Sequence, residues 1–112
     1  NTFNFVVRWN YAAMTLAYLN SSNTFTTFAT LATQPRYFPN LFYPMKLVVD
    51  LNTLRYVRFI FGRTEYDLSQ FSGYSSAGAL SPILSVRLYL TTLAAVAKTC
   101  YVDDAIVTLN EP

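Results

Sequence analysis

Histidine is absent from this chain and cysteine occurs once. No His-dependent triad, His-built zinc site or His-ligated haem can form within it. Cys100 has no internal disulfide partner. It is a small buried thiol, the commoner role, or half of an intermolecular pair. Charge is scarce too: 12% of the 112 residues are charged, and the formal net charge is +2. So near-neutral a balance carries no electrostatic footprint for nucleic acid, and so little charge points to a surface that is partly covered. Long apolar runs are also missing. The charge-free spans Trp9 to Pro35 and Leu68 to Val86 are diluted with Thr, Ser, Asn and Gly, and Leu88 to Ala97 is too short to cross a bilayer. No transmembrane segment is expected. The chain opens on Asn1 without Met, basic n-region or apolar h-region. No signal peptide is therefore expected, and the missing Met suggests a processed protein or an excerpt.

What is present is apolar and aromatic. Hydrophobic residues make up 53% and aromatics 17%, enough for a core, and the aromatic excess favours strands. The length fits a single domain spanning 1–112, or the C-terminal part of one.

Period two dominates the pattern. Phe3, Phe5, Val7 and Trp9 alternate with Asn4, Val6 and Arg8, and Met14, Leu16 and Tyr18 alternate with Thr15 and Ala17. The polar turn Asn20-Ser21-Ser22-Asn23 then leads into the Thr-rich stretch Phe25 to Leu31, which predicts a hairpin. Pro35, Pro39 and Pro44 make Gln34 to Pro44 a loop.

The middle third fixes a register. Met45, Leu47, Val49 and Leu51 alternate with charged and apolar neighbours, as do Arg55, Val57, Phe59 and Phe61. A three-residue loop, Asn52-Thr53-Leu54, pairs Val49 with Val57, Leu47 with Phe59 and Met45 with Phe61. A two-residue loop would set Leu47 against Arg58, mismatching the faces. The last loop position favours a positive φ, so Leu54 there is mildly strained. Gly62-Arg63 predicts a II′ turn that pairs Phe59 with Tyr66, Ile60 with Glu65 and Arg58 with Asp67.

Farther on, Phe71 to Pro82 is rich in Ser, Gly and Ala and predicts a long loop. Leu84, Val86, Leu88 and Leu90 alternate as a strand, and Tyr101 to Leu109 makes a last one. About eight strands with turn signals between them and no convincing helix predict an all-β antiparallel sandwich or barrel.

Three pieces carry a resemblance: Met45 to Thr53 with Tyr56-Val57-Arg58, Thr64 to Ser69, and Tyr101 to Thr108. Together they resemble the C-terminal half of jelly-roll domains in the concanavalin A-like lectin/glucanase superfamily, many of them bacterial extracellular modules, some attached to glycoside hydrolases. The resemblance spans roughly residues 12 to 110. It implies a jelly-roll β-sandwich at the cell surface or outside the cell. Leu54 stands where that family usually has Gly, and the family's first strands would lie before Asn1. The fold is therefore expected to be incomplete without preceding strands or a partner chain.

Candidate chemistry is limited. Tyr56 and Arg58 on one strand and Arg87 and Tyr89 on another are expected on the face opposite the core, with Lys46 near them. Tyrosines offer flat surfaces to sugar C–H faces, and arginines offer forked donors to hydroxyls or carboxylates. The other reading of such a face is an ordinary outward surface with Arg covering Tyr, or a protein interface. Asp103 and Asp104 are the one adjacent acidic pair. Strand neighbours point to opposite faces, so the side chains alone poorly share one ion. The resemblance implies a structural Ca²⁺ near here, whose hard oxygen ligands these are; the plainer reading is local hydrogen bonding. No other cofactor is implied. Glu65 and Asp67 share a strand face at a spacing that loosely suits paired carboxylates, but an Asp67 held ionised by Arg58 is a poor general acid. Asn20-Ser21-Ser22 is a glycosylation sequon that chance also explains.

The first functional expectation is a non-catalytic, extracellular carbohydrate-binding module with a glycan as partner. The alternative is a structural assembly subunit, a surface, filament or capsid-type jelly roll that forms a homo-oligomer or takes a completing chain segment. A hydrolase fragment ranks last.

Overall fold

The computed structural model describes residues 1–32, 43–78, 87 and 105–108. The chain divides into two compact units, Asn1–Ala79 and Leu80–Pro112. In the second unit the described residues, Arg87 and 105–108, are exposed, and 105–108 form no strand. This corrects the expectation of a strand from Tyr101 to Leu109 over 105–108; the rest of that span lies outside the described residues. The expected strand over Leu84 to Leu90 lies outside the described residues apart from Arg87, as does most of the proline-rich loop.

The first unit is all-β. Its strands are β1 (Thr2–Asn4), β2 (Val7–Asn10), β3 (Thr15–Leu19), β4 (Phe25–Thr30), β5 (Met45–Asp50), β6 (Arg55–Phe61), β7 (Thr64–Asp67) and β8 (Tyr74–Ser76). No helix occurs among the described residues, and every strand pairing is antiparallel. The orders are β2-β3-β4, β5-β6-β7 and a two-stranded β1-β8.

The alternation from Phe3 to Trp9 reads as one strand, but the chain leaves one sheet for another at Phe5-Val6: β1 pairs with β8, β2 with β3. The cause is the bonding of Val6. Its N–H donates to the Tyr56 hydroxyl at 2.9 Å, and its carbonyl accepts from Leu19 N at 2.9 Å. The stretch expected to be a loop, Phe71 to Pro82, contains β8. At three residues it is too short for periodicity to announce it.

The β3–β4 hairpin forms as expected around Asn20, whose side chain organises the turn. Its Oδ1 accepts from the N–H groups of Ser22 and Thr24, its Nδ2 donates to the hydroxyls of Thr24 and Thr26, and Asn23 takes a left-handed φ of 60°. Leu16 opposes Ala29 and Ala17 opposes Thr27, so Phe28 is an extra, bulged residue.

In β5–β6, Met45 pairs with Phe61 and Leu47 with Phe59, as the sequence predicts. Val48 then opposes Arg58 and Val49 opposes Tyr56, leaving Val57 as the extra residue. The predicted Val49–Val57 pair is therefore replaced. A bulge reverses the facing of all that precedes it on its strand, because side chains alternate. Tyr56 consequently joins Phe59 and Phe61 on the core side. The loop is one residue longer than expected, Leu51 to Leu54 between the paired Asp50 and Arg55, and Leu54 does take a positive φ of 57°. Asp50 caps it, accepting from Asn52 N, Thr53 N and the Thr53 hydroxyl. The Gly62-Arg63 turn and all its predicted pairs are present, with Gly62 at φ +65°. The Tyr43 ring packs where a Gly62 side chain would stand.

Past β7 the chain keeps following β6. Leu68 N donates to Val57 O, Tyr56 N to Phe71 O and Gly73 N to Leu54 O, with Arg55 and Ser72 bridged. The core lies between the two three-stranded sheets. Leu16 and Tyr18 of β3 meet Tyr56, Phe59 and Phe61 of β6, with Leu68 beside them. Aromatic rings lock it: Tyr18 stacks on Phe71 with centroids 4.2 Å apart, and Trp9 tilts on Phe61 at 5.1 Å.

Candidate functional site

Tyr56 and Arg58 are expected to present a joint outward face. The structure separates them. Arg58 lies on the side of the sheet away from the core, partly exposed. Tyr56 is 0% exposed. Its ring packs edge-on against Phe5 at 5.2 Å and Tyr18 at 5.5 Å. Its hydroxyl accepts from Val6 N and donates to Leu19 O at 2.9 Å. Burial pushes this phenol above its ordinary value, although the bonds to Val6 and Leu19 work the other way. Tyr56 as a sugar-stacking residue is thus corrected. It ties the start of β2 to the end of β3 from within the core, and no ligand can reach its ring without opening the unit. The physical reason is the bulge at Val57, which no composition or hydropathy pattern marks.

Arg87 is exposed in the second unit. Tyr89, Asp103 and Asp104 lie outside the described residues. Among the described residues no group of three His, Cys, Asp or Glu side chains gathers to hold a metal ion.

On the outer face of β6–β7, Arg58, Glu65, Asp67, Val57 and Ser69 border a shallow depression of about 420 Å³. Arg58 Nε stands 3.5 Å from Glu65 Oε1. The ion pair thus runs diagonally, although Asp67 is the residue in register with Arg58. The Asp67 carboxylate accepts from Ser69 N at 2.9 Å, and its bonds to Ser69 hold it below the usual carboxylate range. A carboxylate so held is no general acid. The depression can offer a guanidinium and two anionic groups to a polar ligand.

Asn20 of the sequon is committed to its own turn through both side-chain atoms. Elsewhere on the outer surface Arg8 lies 4.0 Å over the Phe25 ring, the arrangement in which Arg covers an outward aromatic.

A feature absent from the expectations lies at β5. Phe59 and Phe61 are 4% and 2% exposed, but their cross-strand partners Leu47 and Met45 are 37% and 54% exposed. The same sheet face is dry along β6 and wet at Met45 and Leu47 of β5, while Val49 still packs against the core. The alternation of Met45, Leu47, Val49 and Leu51 was legible; that the cover stops one strand short of it was not.

Compared with models of known protein families, with curated proteins and with solved structures, the chain matches none of them. The likeness to concanavalin A-like domains stands on the three sequence pieces alone. Among the described residues no helix is long and apolar enough to cross a membrane.

Proposed function

We propose that this chain is a structural assembly subunit, a jelly-roll-type β-sandwich whose sheet is completed by further chain. One observation carries this reading: Met45 and Leu47, on the core side of β5, are exposed while Phe61 and Phe59, paired with them on β6, are buried. Among the described residues the far edge of β5 has no strand partner, and monomeric proteins seldom leave core-side Leu and Met open beside such an edge, because it invites association. The low charge of the whole chain, 12%, supports the same reading. The test is the mass in solution across a dilution series, by sedimentation or light scattering. An assembly subunit stays oligomeric at micromolar protein and loses its cooperative melt when dissociated. A monomer at every concentration, melting cooperatively, overturns the proposal.

A second reading, a carbohydrate-binding module, keeps one specific observation: the depression around Arg58, Glu65 and Asp67. It no longer includes Tyr56. A glycan array run beside Arg58→Ala tests it, and binding indifferent to that substitution ends the assignment of this face.

A further inference from the structure

We propose that the segment carrying β1 is exchanged between two copies of this chain, with Phe5-Val6 as the hinge, so that β1 of each copy pairs with β8 of the other. This rests on the assembly reading and names the partner, a second copy, and the element through which the copies join.

Local sequence and observed path disagree at the hinge. Phe3 to Trp9 alternates without a Gly or Pro and is rich in aromatic and β-branched residues, which favours one continuous strand. The folded chain divides it: β1 pairs with β8 and β2 with β3, and Phe5 and Val6 alone make the passage between the two sheets. The Val6 carbonyl still extends the β2–β3 ladder by accepting from Leu19 N. The chain therefore leaves that ladder between Phe5 and the Val6 N–H, and this N–H is held by the Tyr56 hydroxyl at 2.9 Å. A short connection that runs against the local preference invites a chain to extend it and hand the element to a second copy.

The exchanged segment carries its own fit. Phe5 is its anchor: the ring meets Tyr56 edge-on at 5.2 Å and occupies the space where a side chain at Gly73 would stand. β1 adds the pairs Thr2–Ser76, Phe3–Ser75 and Asn4–Tyr74. A second copy supplies an identical segment, so every one of these contacts recurs between chains and no new complementarity is required. The bond given up is Val6 N to Tyr56, because extending the hinge turns that N–H away. The Tyr56 hydroxyl keeps its bond to the Leu19 carbonyl at 2.9 Å. In return the two extended hinges run antiparallel across the two-fold axis. Val6, 37% exposed in the closed chain, then lies beside Val6 of the other copy.

The test reads which chain each β1 belongs to. Phe3→Cys and Ser75→Cys are combined in a Cys100→Ser background under mild oxidation. Directly opposed residues of antiparallel strands have Cα atoms about 4.5–5.5 Å apart, within disulfide reach. In the exchanged dimer the new disulfides join two chains, so a denaturing gel without reductant shows a covalent dimer, and either single variant alone shows none. Inserting Gly-Gly between Phe5 and Val6 keeps the alternation and gives the hinge slack to fold back, and the soluble mass falls to that of a single chain. Tyr56→Phe removes a bond that only the closed hinge makes, twice per dimer, and tightens the dimer by roughly tenfold. Oligomers whose cysteines close within each chain, or whose mass ignores the Gly-Gly insertion, overturn the exchange and leave the assembly reading standing. A parent chain that is monomeric throughout overturns both proposals.

Discussion

The two flanks of β6 make opposite use of the same sheet. On one flank β7 pairs with it, and the chain then stays alongside through Leu68, Phe71 and Gly73, so that β6 is bonded from Leu54 to Phe61. On the other flank β5 pairs fully, yet its core-side residues are left partly in water. Cross-strand neighbours of the same chemical type therefore sit in different environments. Burial here follows the reach of the opposing sheet, β2-β3-β4, and not hydropathy: Trp9, Tyr18 and Phe28 cover β6 and reach β7 at Tyr66. A face is a core only where a second layer lies over it.

The pair Phe59 and Leu47 breaks this comparison most directly. Phe59→Ala removes a buried ring that meets Phe28 and stacks near Phe61. It costs about 3–5 kcal/mol of stability, the range for large buried aromatics, read as a shift of the denaturant midpoint. Tyr56→Phe comes next. It keeps the ring but strands the Val6 N–H and the Leu19 carbonyl, at a cost of about 1–3 kcal/mol. It also changes the pH response. The raised phenol of the folded chain retains its proton more strongly than the unfolded chain does. Stability is therefore full below the ordinary phenol value, near 10, and is lost as pH rises through the higher folded one. Tyr56→Phe removes that alkaline loss, and equilibrium unfolding at neutral and alkaline pH measures it. Leu47→Ala, directly across from Phe59, costs the isolated chain no more than about 1 kcal/mol, because its side chain is already partly hydrated. A loss equal to that of Phe59→Ala in a dilute sample would erase the difference between the flanks.

Much of this architecture was legible from the sequence. Alternation and turn chemistry gave the β3–β4 hairpin, the Met45–Phe61 and Leu47–Phe59 pairs, the strained Leu54 and the whole Gly62-Arg63 hairpin. These features are encoded locally, in side-chain period and in the few residues that accept a positive φ. The misplaced feature was Tyr56, and with it the expected sugar-facing surface. Arg55 to Phe61 alternates smoothly in sequence, so nothing local marks Val57 as extra. The bulge is favoured by a distant gain: it delivers the Tyr56 hydroxyl to Val6 and Leu19 on the facing sheet. The split between β1 and β2 has the same origin, since Val6 leaves its ladder to meet that hydroxyl. Sequence period reports which residues alternate, and long-range polar satisfaction decides where the alternation slips.

The outer face of β6–β7 supplies the smallest expected effect and sharpens the same contrast. Arg58 and Glu65 are separated by 3.5 Å, with the Glu65 side chain mostly in solvent. The Arg58 Nε is itself buried, but with its partner this well hydrated the pair has little net value, because water screens it and two long side chains lose freedom to hold it. Glu65→Gln therefore lowers stability by no more than about 0.5 kcal/mol, and the loss shrinks further in molar salt. A double-mutant cycle with Arg58→Ala measures the coupling. A coupling well above that of an exposed ion pair would mean the pair is desolvated, and the depression beside it would then be the covered part of an interface. A coupling near zero leaves the outer face as solvated surface.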